Sequence, residues 1–339
     1  MSRVHVVCSL AALIAVCAPA QVKITPSGGK VSIEIAGKPF SDFYISGKAF
    51  DAEVTKPYLW PLRAPSGTYI TRAWPMQDVA EEAGEKKPTR NGPPAMDHQH
   101  QRGLWFAHDN VNKLDFWNNE WSYVTDLHRK NLGRISLKSL GEIKSGKDRG
   151  SIAAVFEWGD IERTGPPILT ESRVMTFYSD DKLRYFDIDI TLTALQTVVF
   201  GDGKDGALGI RLRPVLDEDK DKDHPHIVNA DGLAGEKALW GKPSNWCDYS
   251  GAVNGEKVGV AILDNPANPR HPVRWHARAY GLFAANPFGV AAFTNDKSQD
   301  GSVTLETGKS LRYRYRILIH EGDVNDAHVA ALWDRYAGL

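Results

Sequence analysis

The stretch LRYFDIDITLTAL, residues 183–195, alternates apolar and polar side chains almost without interruption. Phe186, Ile188, Ile190, Leu192 and Ala194 fall on one side of an extended chain, and Tyr185, Asp187, Asp189, Thr191 and Thr193 on the other. Side chains of a strand point alternately to its two faces, so this pattern marks a strand with one face in a core and one toward water. SLRYRYRILIH, residues 310–320, repeats it, with Leu311, Tyr313, Tyr315, Ile317 and Ile319 opposed to Arg312, Arg314 and Arg316. A helix, with its period of about 3.6, would scatter both sets around its circumference.

Further strands are expected in VSIEI and PFSDFYI on either side of a glycine turn, and in RISLKSLGEI, IAAVFEW, ESRVMTFY and VGVAIL. Helical signal is scarce. Residues 76–85 are a short candidate. The clear helix is terminal, in GDVNDAHVAALWDRYAG. Asp323 or Asn325 can cap it, Val329, Leu332, Trp333 and Tyr336 form its apolar stripe, and Gly338 can end it. No repeat or linker divides the chain. The expected architecture is all-β: a large antiparallel two-sheet β-sandwich with a C-terminal α-helix, formed by residues 21–339 as one domain. Two loops stand out, 81–94 and 217–226. The second opens like a calcium loop but lacks the turn glycine and the closing glutamate, and reads as a solvated charged loop.

Residues 1–20 read as a secretory signal. Arg3 precedes an apolar run from Val6 to Cys17, and Ala18-Pro19-Ala20 offers small residues for cleavage after Ala20. A periplasmic or secreted protein is expected. The run is short of the roughly 20 apolar residues that span a bilayer, and no later segment is long enough, so membrane insertion is not expected. Lys and Arg number 41 against 42 Asp and Glu, a net charge of −1. That balance points to neither nucleic acid nor an anionic membrane. Cys8 and Cys17 leave with the signal, so Cys247 has no partner for an intrachain disulfide. The 10 tryptophans suit a core or a sugar-stacking platform. Oligomeric state is not legible.

Chemistry concentrates in MDHQHQRGLWFAHDNVNKLDFW, residues 96–117. On a strand, His98 and His100 would point to one side with Cα atoms roughly 7 Å apart. Arg102 follows on that face, and its fork of donors suits a carboxylate or paired hydroxyls. Gly103 would let the backbone approach something closely. Trp105 and His108 complete the group. A metal would need a third ligand, from His108 after a bend or from His271 or His276. No acidic residue sits at the short spacing of His-x-His metal barrels. Chemistry without a cofactor is therefore the reading, with a histidine-bound copper or zinc as an alternative.

A second dense stretch, LDNPANPRHPVRWHARAYGLFAANPFG, spans residues 263–289. Its Asn-Pro pairs favour turns, so it reads as a structured loop interrupted by a short strand. In RWHAR, Arg274, His276 and Arg278 alternate onto one side. Pro-rich turns can hold donors rigidly, as positioned binding demands. Lys204, in the glycine-flanked GDGKDG, can reach a substrate carboxylate or hydroxyl. Glu171 and Glu120 are the candidate acids. There is no Gly-x-Ser-x-Gly elbow, and Cys247 has ordinary neighbours, so serine or cysteine nucleophilic catalysis has no support.

Together these stretches resemble one secreted bacterial family labelled "PmoA", a methane-oxygenase name. Its members carry Asp-His-x-His-His-Arg-Gly-Leu-Trp, Gly-Asp-x-Lys-Glu-Gly, Asp-x-Pro-x-Asn-x-Arg-x-Pro-x-x-Trp-His-x-Arg and Tyr-Gly-Leu-x-x-x-Asn-Pro-Phe-Gly. The resemblance covers nearly the whole chain after residue 20. Matching positions are Asp97, His98, His100, Arg102, Gly103, Trp105 and His108, then Lys204, Asp264, Asn268, Arg270, Trp275, His276, Arg278, Asn286 and Gly289. Gln101 replaces the family's second adjacent histidine, and Asp205 its glutamate. The label does not suit a chain without transmembrane helices. The resemblance implies unknown function on a galactose-mutarotase-like supersandwich, an outline shared by epimerases, polysaccharide lyases and some glycosidases.

The functional expectation is a carbohydrate-active enzyme with a sugar lying on a sheet. Trp105 and Trp275 would offer stacking faces. Arg102, His108, Glu120, Lys204, Asn268, His271, Arg278 and Asn286 would contact the sugar. His98, His100 or His276 would transfer protons near neutral pH, with Glu171 or Glu120 as the partner acid. Hydrolysis, elimination and epimerisation all fit. The alternatives are a non-catalytic sugar-binding protein and a histidine-ligated metal protein.

Overall fold

The computed structural model describes residues 21–50, 52–73, 98–218 and 226–338. The expected signal at 1–20, the helix candidate at 76–85, the 81–94 loop, most of the 217–226 loop and Asp97 lie outside these residues.

In chain order the strands are β1 (Val22–Ser27), β2 (Lys30–Ile35), β3 (Lys38–Tyr44), β4 (Lys48–Ala49), β5 (Ala52–Glu53), β6 (Tyr58–Trp60), β7 (Leu104–His108), β8 (Gly133–Lys144), β9 (Arg149–Asp160) and β10 (Leu169–Tyr178). There follow β11 (Arg184–Ala194), β12 (Val198–Phe200), β13 (Gly206–Arg211), β14 (Ile227–Asn229), β15 (Trp246–Val253), β16 (Glu256–Asp264), β17 (Arg274–Arg278), β18 (Leu282–Asn286), β19 (Val303–Leu305) and β20 (Ser310–Glu321). The helices are α1 (Trp121–Thr125), α2 (Glu236–Leu239), α3 (Ala291–Thr294) and α4 (Val329–Ala337). Two eight-stranded antiparallel sheets dominate. The first runs β1-β2-β3-β6-β7-β13-β18-β17 and the second β14-β15-β16-β20-β11-β10-β9-β8. The antiparallel two-sheet sandwich expected from the alternation is the architecture observed.

Burial in β11 follows the sequence alternation residue by residue. Ile188 lies opposite Tyr315 and Ile190 opposite Tyr313, all buried. On the other face Asp187 lies opposite Arg316 and bonds its Nε at 2.7 Å. The inner faces interlock through aromatic rings. Phe40 of the first sheet meets Phe186 of the second at 5.8 Å, and Phe106 meets Trp158 at 6.2 Å. Each such ring contributes roughly 1.5–3 kcal/mol by leaving water.

Helix α4 begins later than expected. Asp323 instead accepts the backbone N–H of Asn325 and Asp326 in a turn, and His328 precedes the helix with φ of 52°. Val329 and Tyr336 then pack with Trp246, Leu263 and Leu318 on the outer face of the second sheet.

Strand parity in the first sheet positions the site. Phe106, Leu208, Ala285 and Trp275 are paired in sequence across β7, β13, β18 and β17. Phe106 touches Trp158, so this row faces the second sheet. The neighbouring row, Trp105, Gly209, Ala284 and His276, therefore faces outward. So does the next one, where Arg211 and Arg278 flank Leu282.

Candidate functional site

The β17–β18 hairpin turns at Ala279-Tyr280-Gly281, which sets Tyr280 just beyond Arg278 on the outward face. Its ring stacks on His98, with centroids 5.5 Å apart and planes 19° from parallel. The Arg211 guanidinium lies 4.6 Å from the same ring. Burial raises the Tyr280 hydroxyl above the usual phenol range, against the pull of Arg211 and Arg278 and a hydrogen bond with Gln101. Tyr280 is thus where the two sequence-distant segments meet.

His98–Arg102 does not form a strand. His98, Gln99 and His100 form a turn, closed by the Gln101 N–H donating to the His98 carbonyl at 2.9 Å. His98 takes φ of 47°, a left-handed conformation costing a side-chain-bearing residue ~1–2 kcal/mol. The turn still brings the two imidazoles together, 5.6 Å between centroids. Arg72 secures it by donating to the carbonyls of His98 (2.9 Å) and Gln101 (3.1 Å). The Gln101 side-chain oxygen accepts from Arg211 at 2.6 Å, an acceptor role that a protonated histidine could not fill. The strand starts after Gly103, whose φ is 55°. A Cβ there would sit 2.1 Å from the Leu59 carbonyl oxygen, so the close approach expected of this glycine is to β6.

His100 is buried, with Nδ1 3.2 Å from the Tyr123 hydroxyl of α1. Burial holds its pKa well below the usual imidazole value, and nearby Lys56 and His98 push the same way. Burial, with Glu120 next in effect, pushes the Tyr123 hydroxyl up to about 12. Arg102 pairs with Glu120, both shut away from water. Beside them Lys56 donates to the Trp117 carbonyl (2.9 Å) and the Asn119 oxygen (2.6 Å). Burial lowers the Lys56 amine to about 7.

At the other end, His276 Nδ1 lies 3.4 Å from the Asp205 carboxylate, which Lys204 grips at 2.7 Å. Burial drives His276 down to about 3 despite Asp205. Arg278 contacts His276 Nε2 at 3.3 Å, bonds Glu236 at 2.8 Å and lies 4.0 Å from the half-buried Trp240 ring.

The other expected residues are committed to packing or to hydrogen bonds, whichever way they face. Trp105 and Trp275 are both 0% exposed and offer no stacking face. Trp105 packs on Trp117 at 4.8 Å, while Trp275 occupies the inward row and donates to the Ser244 carbonyl at 2.9 Å. His108 also points inward, its Nε2 2.7 Å from the Gly201 carbonyl and its ring beside Phe288. Burial lowers it to about 4. Glu171 is sealed inside the sandwich, accepting from Trp158 Nε1 (2.9 Å) and Arg173 Nε (2.6 Å). Asn268 and His271 bind Asp264 at 2.8 and 2.7 Å and tie a loop to β20 and α4. Asn286 holds the Gly203 and Lys204 carbonyls, both at 2.9 Å. These are structural duties, met because a buried polar group must find a partner.

Of the expected set, the structure gathers His98, His100, Arg102, Glu120, Lys204, His276 and Arg278 on one face. Sequence reasoning missed Arg72, Arg211, Tyr123, Tyr280, Lys56 and Trp240. The Tyr280-Gly281 pair between two alternating runs was a hairpin signal; the others had none. Among the described residues, no group of three or more His, Cys, Asp or Glu side chains is placed to hold a metal ion, and no helix is long and apolar enough to cross a membrane.

No curated protein matches the sequence. Among solved structures, the heparan sulfate lyase HepC of Pedobacter heparinus aligns at 9% identity and a TM-score of 0.41, covering 87% of this chain and 36% of its own. A GH36 α-galactosidase of Geobacillus stearothermophilus aligns at 10% identity and 0.37, covering 89% of this chain and 40% of its own. A galactose mutarotase-like protein of Clostridium acetobutylicum aligns at 10% identity and 0.35, covering 89% and 99%. This chain thus spans well under half of the first two, and at such similarity no activity transfers from any of them. Residues 30–334 match the model of a family of unknown function, DUF6807, and the chain belongs to that family.

Proposed function

We propose that this protein acts on a carbohydrate at the outward face of the first sheet, moving protons with histidine and tyrosine. The observation that carries the reading is the stack of His98 on Tyr280 with Arg211 beside it, which unites the two histidine- and arginine-rich segments in one place. A neutral imidazole accepts a proton, and burial keeps His100 neutral at pH 7. The Tyr123 hydroxyl, 3.2 Å away, keeps its proton at that pH and can give it up as a general acid. Arg211 and Arg278 supply donors for sugar hydroxyls or a carboxylate. Hydrolysis usually employs two carboxylates flanking the bond. Glu120 is paired with Arg102 and Glu171 lies inside the sandwich, so neither serves. Imidazole and phenol then favour elimination or epimerisation, reactions that begin by removing a proton from carbon.

The chain is further proposed to be exported, with the signal cut after Ala20 and residues 21–339 folding as one domain. An intact mass of the protein secreted by its native host that begins at Gln21 would support this; retention of residues 1–20 would overturn it.

The catalytic reading is tested in D2O with neutral glycosides, uronides and 3-keto-glycosides, following ring-proton exchange by NMR and new double bonds by absorbance. Exchange or elimination by the wild type that falls at least a hundredfold in His100→Ala is expected. Equal rates in the two proteins, or no reaction with any sugar, would remove histidine acid–base chemistry from this protein.

A further inference from the structure

Away from the site at Tyr280, a cavity of about 660 Å³ opens between the β4–β5 hairpin and the loop after β9. Such a volume suits one or two sugar rings, within the roughly 300–1,000 Å³ of small-molecule sites. Its wall carries the cations Lys48, Arg134 and Arg163 and, in equal number, the carboxylates Glu53, Glu157 and Asp160. Arg134 is paired with Glu53 and Glu157 with Lys138 outside the wall, each at 2.8 Å, and Asp160 stands against Lys48 and Arg163, so little net charge is left for an ionic ligand. Donors and acceptors stand side by side, as a polyhydroxylated ligand requires. Ile45, Val54, Leu137 and Pro167 add apolar surface for the C–H face of a sugar ring.

The wall is built. Arg134 is 4% exposed and held by Glu53 at 2.8 Å and by the Ile161 carbonyl at 3.2 Å. Asp160 is fixed by the N–H groups of Thr164 (3.0 Å) and Gly165 (2.8 Å), which outweigh desolvation and keep its carboxyl below the usual range. Lys48 and Arg163 are exposed and form no ion pair among the described residues, which leaves their donors to a ligand. Glu53 also links this cavity to the site at Tyr280: its carboxylate holds Arg134, while its backbone carbonyl accepts from Arg102 at 3.2 Å.

We propose that this cavity is a second carbohydrate site, taking an uncharged mono- or disaccharide unit. It does not depend on catalysis at the first site. The test is isothermal titration of the full chain with neutral disaccharides (cellobiose, maltose, lactose, xylobiose) and with an acidic one, a glucuronate-containing disaccharide. Variants are Ser136→Trp, which fills the cavity from β8, the double variant Lys48→Ala/Arg163→Ala, and His100→Ala. The expected result is binding of a neutral disaccharide that weakens at least tenfold in both cavity variants and persists in His100→Ala. Should Ser136→Trp fail to fold, the double variant decides alone. Wild-type affinity in either folded cavity variant, loss only in His100→Ala, preference for the acidic sugar, or no binding at all overturns the proposal. Failure of the catalytic reading leaves a separate trace, turnover that is absent or equal in wild type and His100→Ala, and it leaves the titrations of the cavity variants unaffected.

Discussion

The imidazole of His98 lies nearly parallel to the phenol of Tyr280, with 5.5 Å between ring centroids. One residue comes from the turn before β7 and the other from the tip of the β17–β18 hairpin. His98 holds a left-handed backbone there, and such strained positions cluster where a protein binds or reacts. Replacing Tyr280 with Ala removes the stack and a surface for Arg211. Sugar affinity is expected to weaken at least tenfold, about 1.4 kcal/mol, in calorimetric titrations. Unaltered affinity would detach this stack from ligand binding.

The Arg102–Glu120 pair is closed to solvent on both sides, at 2% and 4% side-chain exposure. Glu120→Gln strands a buried guanidinium and should cost roughly 3–5 kcal/mol, read from urea unfolding. An Arg102→Met/Glu120→Leu double variant should recover much of that, because it leaves no buried charge. A loss under 1 kcal/mol in the single variant would mean that water reaches the pair.

Glu171 makes the opposite case from the one its sequence position suggested. Glu171→Gln leaves Arg173 without its charge partner inside the sandwich, and a loss of about 3 kcal/mol or more is expected. Turnover per folded molecule should not change. A selective loss of turnover at unchanged stability would restore Glu171 to the chemistry.

His276 gives a pH dependence with a definite sign. Its pKa in the folded state is about 3, against an ordinary 6.5. Between those values the unfolded chain binds a proton that the folded one refuses, so stability is present above pH 6.5 and lost as pH falls toward 3, at up to ~1.4 kcal/mol per pH unit. His108, lowered to about 4, acts in the same direction. Asp109, raised to about 7 by burial and by Asp205, opposes them as pH rises from 3.8 to 7. Urea midpoints at pH 6.5, 5.5 and 4.5 should therefore fall less steeply in His276→Gln than in the wild type. Parallel curves would show that His276 is solvated.

Trp240 is half-buried against Arg278, whereas Trp105 and Trp275 are sealed. A sugar bound near Arg278 should change the emission of Trp240. That response is expected to vanish in Trp240→Phe and to survive in Trp275→Phe. Loss of the signal in Trp275→Phe instead would place the ligand at the sandwich interior.

Alternation in the sequence determined the strands, and through them the antiparallel sandwich, because period two can bury its apolar face only in a sheet. The same rule correctly put Arg274, His276 and Arg278 on one side of β17. Local sequence could not decide which side that was. Facing direction depends on which row meets the second sheet, and cross-sheet packing such as Phe106 on Trp158 and Phe283 on Tyr249 decides it; by that choice Trp275 went to the core and His276 to the outward face. Nor could it show that Glu171 would find Arg173 and Trp158, or that Asn268 and His271 would serve Asp264. A polar side chain is read as available until the fold supplies its partner, and those partners come from strands distant in sequence. The meeting of His98 with Tyr280 is the same kind of fact: two turns brought together by a sheet whose strand order no local pattern encodes.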